Sequence, residues 1–214
     1  TLPVRRAAWS GRGVPAVADL AGGSPRTFAA RSACRLTWED RAVPRYVVLA
    51  DESQVWIDGS SSVHPVRATA TGLTGWVTLA TTTRGVAKAT ALAGEIRIEV
   101  GRLRSGNPLI DRETRRRIDA KHHPEIVGTI TAGERIAPDR LHVTGSIAFR
   151  GQVQTVTGEL SVGLASGRVT FDGSATFDVR AWGLQPPRVA LLQVHPEVEV
   201  RIHVVALSDG DGAS

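Results

Sequence analysis

The chain holds a single cysteine, Cys34, so no disulfide closes within it and no zinc-ligand spacing of cysteines is present. Lysine is nearly missing as well: of 26 basic side chains only Lys88 and Lys121 are lysines, a compositional bias that carries no message about arginine-specific recognition. No apolar run approaches the roughly 18 residues a membrane-spanning helix needs. The longest uncharged stretch, residues 68–83, is mostly Thr, Gly and Ala. Residues 1–20 contain an early Arg pair, but Gly, Arg, Pro and Asp interrupt any apolar core of a secretion signal. The expected compartment is the cytoplasm, or the cell exterior if an upstream segment has been removed, since the sequence starts at Thr1 rather than Met. What is present is ordinary for a folded protein: 42% hydrophobic and 22% charged residues over 214 positions, enough for one domain with a full core, or one domain and an arm.

The net charge of +5 is unevenly placed. Residues 1–45 carry eight Arg against Asp19, Glu39 and Asp40 and so account for all of it, while the remainder has 18 basic and 18 acidic side chains. The early Arg residues are separated by Gly, Ala, Ser and Pro without helical spacing or interleaved aromatics, which disfavours nucleic acid as a partner and favours a solvated arm. Gly11, Gly13, Pro15, Gly22, Gly23 and Pro25 break the segment every few residues. The expected organisation is an irregular basic arm over 1–44, a domain over 45–206 and a flexible tail over 207–214. Trp9 and Trp38 lie in the arm, where they could dock it on the domain.

From Tyr46 onward, short segments of alternating or β-branched residues recur about every dozen positions: 46–49, 53–59, 63–70, 73–80, 94–103, 125–132, 141–150, 152–164, 169–179 and 194–207. The clearest alternations set Ile96, Ile98 and Val100 against Arg97, Glu99 and Gly101, and Val198, Val200, Ile202 and Val204 against Glu197, Glu199, Arg201 and His203. Each strand then has one apolar and one wet face. Gly151, Gly167 and Asp172-Gly173 supply turn signals between neighbouring runs. One interruption reads as a helix over about 107–119, with Asn107 as cap, Pro108 in the first position and Pro124 beyond the end. Its arginines at 112 and 115–117 suit either an anion or a solvated face near the negative end of the helix dipole. A chain of about eight antiparallel strands and one helix must sandwich two sheets or close into a barrel to bury its apolar faces.

The order of motifs resembles the YceI-like family. The residues that carry the resemblance are Asp51-Glu52-Ser53-Gln54-Val55-Trp56-Ile57, Val66-Arg67 leading to Gly75, Arg104-Ser105-Gly106-Asn107 with Asp111-Arg112, His123-Pro124-Glu125-Ile126, and Val143-Thr144-Gly145-Ser146-Ile147-Ala148-Phe149-Arg150-Gly151. Trp182-Gly183-Leu184 stands where that family has an aromatic-Gly-aliphatic step before its final strand. The resemblance spans about residues 45–206. It implies an all-β fold: an eight-stranded antiparallel, lipocalin-like barrel with one short helix near a mouth. It also implies a binding protein without catalysis or cofactor, whose lumen holds a long isoprenoid chain, as a prenyl lipid or quinone. An eight-stranded barrel is wide enough for side chains to fill it or for one slender ligand to replace some of them.

The expected lumen residues follow from strand phase and the family's buried positions together. Val55, Ile57, Val77 and Leu79 are expected to point inward from the first strands, Ile96, Ile98 and Ile126 from the middle ones, and Ile147, Phe149 and Val156 from the later ones. Ala70, Gly128 and Gly158 complete the expected ligand-binding set, because each stands where the family usually has a larger Phe or Leu. Phe149 goes the other way in size, and Phe171 and Phe177 could also fill space. The family's aromatic pair after the helix is missing, with Ile118 nearest, and Val179 stands where an Arg usually precedes the Trp182 step. Trp56 and Trp76 fall out of phase with the inward aliphatics and are expected on the outside, packed on the helix or the arm, or presented to a partner. The alternative function is an interaction module whose barrel is packed shut by its own side chains, and a homodimer is left open.

A search for reactive groups turns up no constellation. His122 and His123 are neighbours that face opposite ways if extended. His195 and His203 share a strand face but stand roughly 26 Å apart at about 3.3 Å per residue. His64 and His142 have no carboxylate or Cys at ligand spacing, and Ser60-Ser61-Ser62 beside Gly59 reads as a turn, with no nucleophile elbow or phosphate-binding glycine motif elsewhere. No metal site is expected. Because the arm supplies all of the net charge and none of the strand pattern, removing residues 1–44 is expected to leave a cooperatively folding, less soluble barrel. Thermal unfolding of the truncated chain checks this, and failure to fold would show that the arm completes the core.

Overall fold

The computed structural model describes residues 43–62, 65–88, 92–186, 188–189 and 192–209. The arm expected over 1–44, with Trp9 and Trp38, therefore lies almost wholly outside the described residues, as do His64 and residues 210–214. The strands are β1 (Arg45–Val48), β2 (Gln54–Ser61), β3 (Val66–Thr71), β4 (Thr74–Thr78), β5 (Thr81–Thr82), β6 (Gly85–Val86), β7 (Ala93–Glu99), β8 (Glu125–Ala137), β9 (Arg140–Phe149), β10 (Gln152–Ala165), β11 (Arg168–Asp178), β12 (Arg188–Val189) and β13 (Leu192–Ser208).

Eight of them form a ring, β1-β4-β7-β8-β9-β10-β11-β13, that shuts through pairing of β1 with β13. Every pairing is antiparallel. β1 and β2 lie end to end along β13, and β4 and β3 lie end to end along β1 and β2, so each pair acts as one long wall strand broken in the middle. The first break is at residues 49–53. The second is at Gly72-Leu73, where Gly72 takes a φ of +77° and Leu73 is fully buried. Two tight connections use the left-handed backbone that a twisted hairpin needs at both central residues: Arg150-Gly151 at φ +49° and +73°, and Ser166-Gly167 at φ +46° and +78°.

The helix α1 (Pro108–Ile118) forms where the sequence places it. The Asn107 side chain accepts from the backbone N–H groups of Leu109 and Ile110, Pro108 occupies the first turn, and Asp119 ends the helix at φ +59°. Residues 100–103, read in the sequence as the end of a strand, instead form a 3-10 turn, Val100–Arg102, that buries Val100 and leads into α1. Residues 207–209, assigned to the tail in the sequence, belong to the barrel instead, since β13 continues through Leu207 and Ser208, and Asp209 N–H donates to Arg45 O. The hairpin β5–β6 had no expectation in the sequence.

The barrel's two ends differ. At one end lie the β8–β9 and β10–β11 turns, the start of β1 and the end of β13, and the β5–β6 hairpin is tied there by Val86 N–H to Pro138 O (3.0 Å) and by Arg135 Nη1 to Val86 O (2.9 Å). Leu79, Val86, Leu141, Val169, Phe171 and Val204 are sealed in this half, none more than 2% exposed. At the other end lie the Val100–Arg102 turn, α1, the β9–β10 turn and a second 3-10 turn, Val179–Trp182.

The helix is anchored to its leading loop by Asp111, whose carboxylate accepts from Ser105 Oγ and from Ser105 N–H, both at 2.7 Å. The Ser105 hydroxyl is the largest cause holding this buried carboxyl below the usual range, assisted by the Ser105 amide and by Arg115 and Arg104. A depressed native pKa contributes stability that is fully present above the unfolded value of about 4 and is lost as pH falls through the native one. Acid unfolding is therefore expected to begin at lower stability cost in Asp111→Asn: its stability should be reduced at neutral pH and vary less than the wild type's below about pH 4, as measured by urea titrations at several pH values.

Candidate functional site

Directly opposed residues in an antiparallel ladder share a face, so the register identifies the lumen. Val55 opposes Ala70 and Ile202, Ile57 opposes Ala68 and Val200, and Val77 opposes Tyr46 and Gly94. Gly128 opposes Ile96 on one side and Ile147 on the other, Ile98 opposes Ile126, Val156 opposes Gly145, and Gly158 opposes Val143. Phe149 packs on the same core cluster. The structure thus places the thirteen expected residues on the inner face, but in two environments. Val55, Ala70, Val77 and Leu79 are sealed at 2% exposure or less among core side chains. Ile57, Ile96, Ile98, Ile126, Gly128, Ile147, Phe149, Val156 and Gly158 are only half-buried, towards the α1 end and mid-barrel.

Space beside the inner-face glycines is uneven. A methyl group placed on Gly128 would meet its first neighbour, Ile96 O, only at 4.0 Å, and on Gly158 it would meet nothing within 4 Å. On the half-buried Gly173 a methyl would stand 2.5 Å from Leu160 Cδ2, and on the buried Gly145, opposite Val156, closer still to Thr129 O. Ala70, the third of the small residues, lies at 2% exposure and leaves no comparable opening.

Several inner-face residues were absent from the sequence-derived set. Val198, Val200 and Ile202 of β13 line the lumen across from Phe177, Ala175 and Gly173 of β11. Their alternation was plain in the sequence, and only their partners were not. Gln154, opposite Ile147, brings an amide to the mouth, where its Nε2 donates to Ala181 O at 2.8 Å. Trp182 is buried over the mouth, with Nε1 donating to Ile147 O at 3.1 Å and its ring edge-on to Phe177 at 5.9 Å. Arg150, half-buried in the β9–β10 turn, donates from Nε to Ile118 O (3.2 Å) and from Nη1 to Trp182 O (3.1 Å), tying α1 and the second 3-10 turn to the barrel.

Charged groups occupy the outer face. Trp56 and Trp76 are there as expected, but they meet arginines: Arg201 lies 5.7 Å from the Trp56 ring centre and Arg45 lies 4.3 Å from that of Trp76. Arg97 bridges Glu95 (2.8 Å) and Glu125 (2.9 Å), and Asp58 pairs with Arg201 at 2.7 Å. The two His–carboxylate contacts among the described residues, His122 with Asp119 (2.8 Å) and His203 with Asp172 (2.7 Å), are also outside the lumen. Among the described residues no three His, Cys, Asp or Glu side chains converge on a common point, and no helix is long and apolar enough to cross a membrane.

An eight-stranded antiparallel barrel closed on itself, with a single helix beside one mouth, is a lipocalin-like barrel. The chain belongs to the YceI-like family, whose YceI-like domain model matches residues 46–206. Among solved structures the fold is similar to that of BcnA from Burkholderia cenocepacia, at a TM-score of 0.63 and 19% identity over 74% of this chain and 98% of that one. It is also similar to a polyisoprenoid binding domain from Saccharophagus degradans implicated in plant cell wall breakdown, at a TM-score of 0.60 and 13% identity, covering 76% and 98% of the two chains. A YceI protein from Campylobacter jejuni aligns at a TM-score of 0.56 and 12% identity over 67% and 85%. No curated protein matches the sequence.

The two environments of the lumen make different demands on substitution. Leu141→Ala in the sealed half is expected to cost about 2–5 kcal/mol, the range for truncating a fully buried aliphatic chain, whereas Ile98→Ala in the half-buried stretch is expected to cost about 1–2 kcal/mol. Urea unfolding of the two variants measures the difference. Equal losses would mean that the lumen is packed to the same density at both ends.

Proposed function

We propose that this protein binds a long apolar chain of the isoprenoid type, such as a prenyl lipid or quinone, in the half of its lumen next to α1, and that it carries or senses that ligand without transforming it. The observation that carries this reading is the apolar inner surface left half-buried there, from Ile57, Ile96, Ile98, Ile126 and Phe149, beside the empty positions at Gly128 and Gly158. Exposed apolar surface inside a concave site is what an apolar ligand covers. Covering some 400 Å2 of chain at about 25 cal/mol per Å2 would supply roughly 10 kcal/mol before the costs of ordering. The polyisoprenoid binding domain from Saccharophagus degradans, with the same fold, supports the choice of ligand class. The His122–Asp119 and His203–Asp172 pairs lie outside the barrel and would not touch a chain in the lumen.

The sealed half, with Leu141, Val162, Phe171 and Val204 packed together, favours a second reading, a self-filled barrel that serves as a protein-interaction module. One substitution separates the two. Gly128→Phe restores the bulk usual at this position and removes a strand glycine. With a ligand lumen, prenyl-lipid affinity is expected to fall by tenfold or more while stability stays level or rises. With a filled lumen, overpacking costs about 1–3 kcal/mol and there is no binding to lose. Native mass spectrometry of the purified protein with lipid extraction, titration with a prenyl lipid and thermal unfolding of the variant give the outcome. A destabilised Gly128→Phe with unaltered lipid affinity would remove Gly128 from the ligand site.

A further inference from the structure

Charge on the barrel domain is polarised towards the α1 end. Residues 102–121 hold six Arg and Lys121 against Asp111, Glu113 and Asp119, a net +4, although the chain beyond residue 45 is neutral as a whole. Within this cap a cleft of about 320 Å3 is lined by Arg116, Arg117, Arg150, Gly183, Leu184 and Gln185. Three guanidinium groups face it and one carboxylate, Glu113, serves two of them: its Oε1 lies 2.9 Å from Arg116 Nη2 and 2.7 Å from Arg117 Nε. The second contact lacks the direction of a hydrogen bond, so the buried Arg117 Nε–H has no acceptor among the described residues. Arg150 is fixed by its two carbonyl acceptors, Ile118 O and Trp182 O. Three of its five N–H groups remain without a partner among the described residues. Gly183, at φ +67°, would place a methyl 3.6 Å from Arg150 Nη1, and having none it leaves bare backbone beside that guanidinium.

The cleft adjoins the lumen. Arg150 follows Phe149 of the inner face directly, Leu184 packs against the hydrophobic core, and the Trp182 indole that donates to Ile147 O belongs to the same turn whose carbonyl holds Arg150. A chain lying along Phe149 and Ile147 would therefore end near three cations, of which Arg116 and Arg117 share Glu113 and Arg150 feels the charge of Asp119, itself paired with His122. Arginine forks suit phosphate and carboxylate oxygens, lose little hydration on pairing, and cost less to order when the protein already holds them.

We propose that the Arg116–Arg117–Arg150 cleft is an anion subsite at the barrel mouth that seats a phosphate or carboxylate head group, so that the lumen takes anionic amphiphiles in preference to neutral ones of equal chain length. This rests on the apolar-chain reading of the lumen given above. Arg150 also holds the cap together, so the variants that test the subsite are Arg116→Gln with Arg117→Gln. Arg112→Gln, on the same helix and outside the cleft, controls for loss of charge alone.

Isothermal titration of each protein with farnesol, farnesyl monophosphate, a fatty acid of matched length and inorganic phosphate reads the result. The expected pattern is at least tenfold tighter binding of the phosphate ester or the acid than of farnesol. The double variant should abolish that preference and leave farnesol affinity unchanged, and Arg112→Gln should retain it. Equal affinity for farnesol and the anions in the wild type overturns the subsite, as does a double variant that weakens all amphiphiles alike. If no amphiphile binds, the lumen reading has failed independently. Binding of inorganic phosphate that the double variant loses would then support a site for free anions, and no phosphate binding would overturn the subsite too.

Discussion

Three residue pairs, Tyr46 with Ser208, Val47 with Leu207 and Val48 with Ala206, join the first strand to the last and turn a sheet into a barrel. Closure satisfies the backbone groups that an open sheet would expose along two edges, and it fixes the circumference at eight strands. From that number follows the central constraint on everything inside. The lumen is too narrow to be a water channel and just wide enough that the size of each inward side chain decides whether the space is filled. A sequence that keeps inward residues apolar therefore still has a choice at every level of the barrel, between packing itself and leaving room.

This chain makes both choices, one at each end. Leucine, phenylalanine and valine from β9, β10, β11 and β13 meet in the sealed half, and the β5–β6 hairpin covers them with Val86. The sealed half supplies the cooperative core, because fully buried aliphatic chains contribute most per residue. The α1 end has glycine at 128 and 158 and isoleucines that are only half-buried. Glycine at these positions forgoes contacts that larger side chains would make, whereas the other half is packed tightly. Closure through β1 and β13 matters to both, since it holds the walls apart where side chains do not.

The alternation that defines the walls was legible residue by residue. Ile96 and Ile98 against Arg97 and Glu99, and Val198 to Val204 against their polar neighbours, fix both the strand type and the inner face. The same was true of α1, where Asn107, Pro108 and the stop before Pro124 are local signals. The breaks at residues 49–53 and at Gly72 were legible as gaps between segments, but the continuity across them was not, because a strand interrupted for a few residues looks like two separate strands until the shared partner shows that it is one wall. The 3-10 turn at Val100–Arg102 continues an apolar alternation whose purpose has changed from wall to cap. Depth along the lumen was likewise hidden: Ala70 and Gly128 are both small inward residues, and only the register puts one among sealed side chains and the other beside empty space.

Arg150 shows the limit of sequence pattern most sharply. By sequence it is the residue before Gly151 in a hairpin turn, and its φ of +49° belongs to that turn. The turn backbone sends the guanidinium between two carbonyls that end helical segments, Ile118 O and Trp182 O, groups that no residue of their own segments could satisfy. Helix ends are negative at their carbonyls, so a cation there is favoured on charge as well as on hydrogen bonding. Arginine suits this place because one side chain at the mouth reaches both carbonyls and brings the favourable charge. In this chain the two segment ends over the apolar opening share one guanidinium, and Arg116 and Arg117 of α1 add further positive charge on the same side.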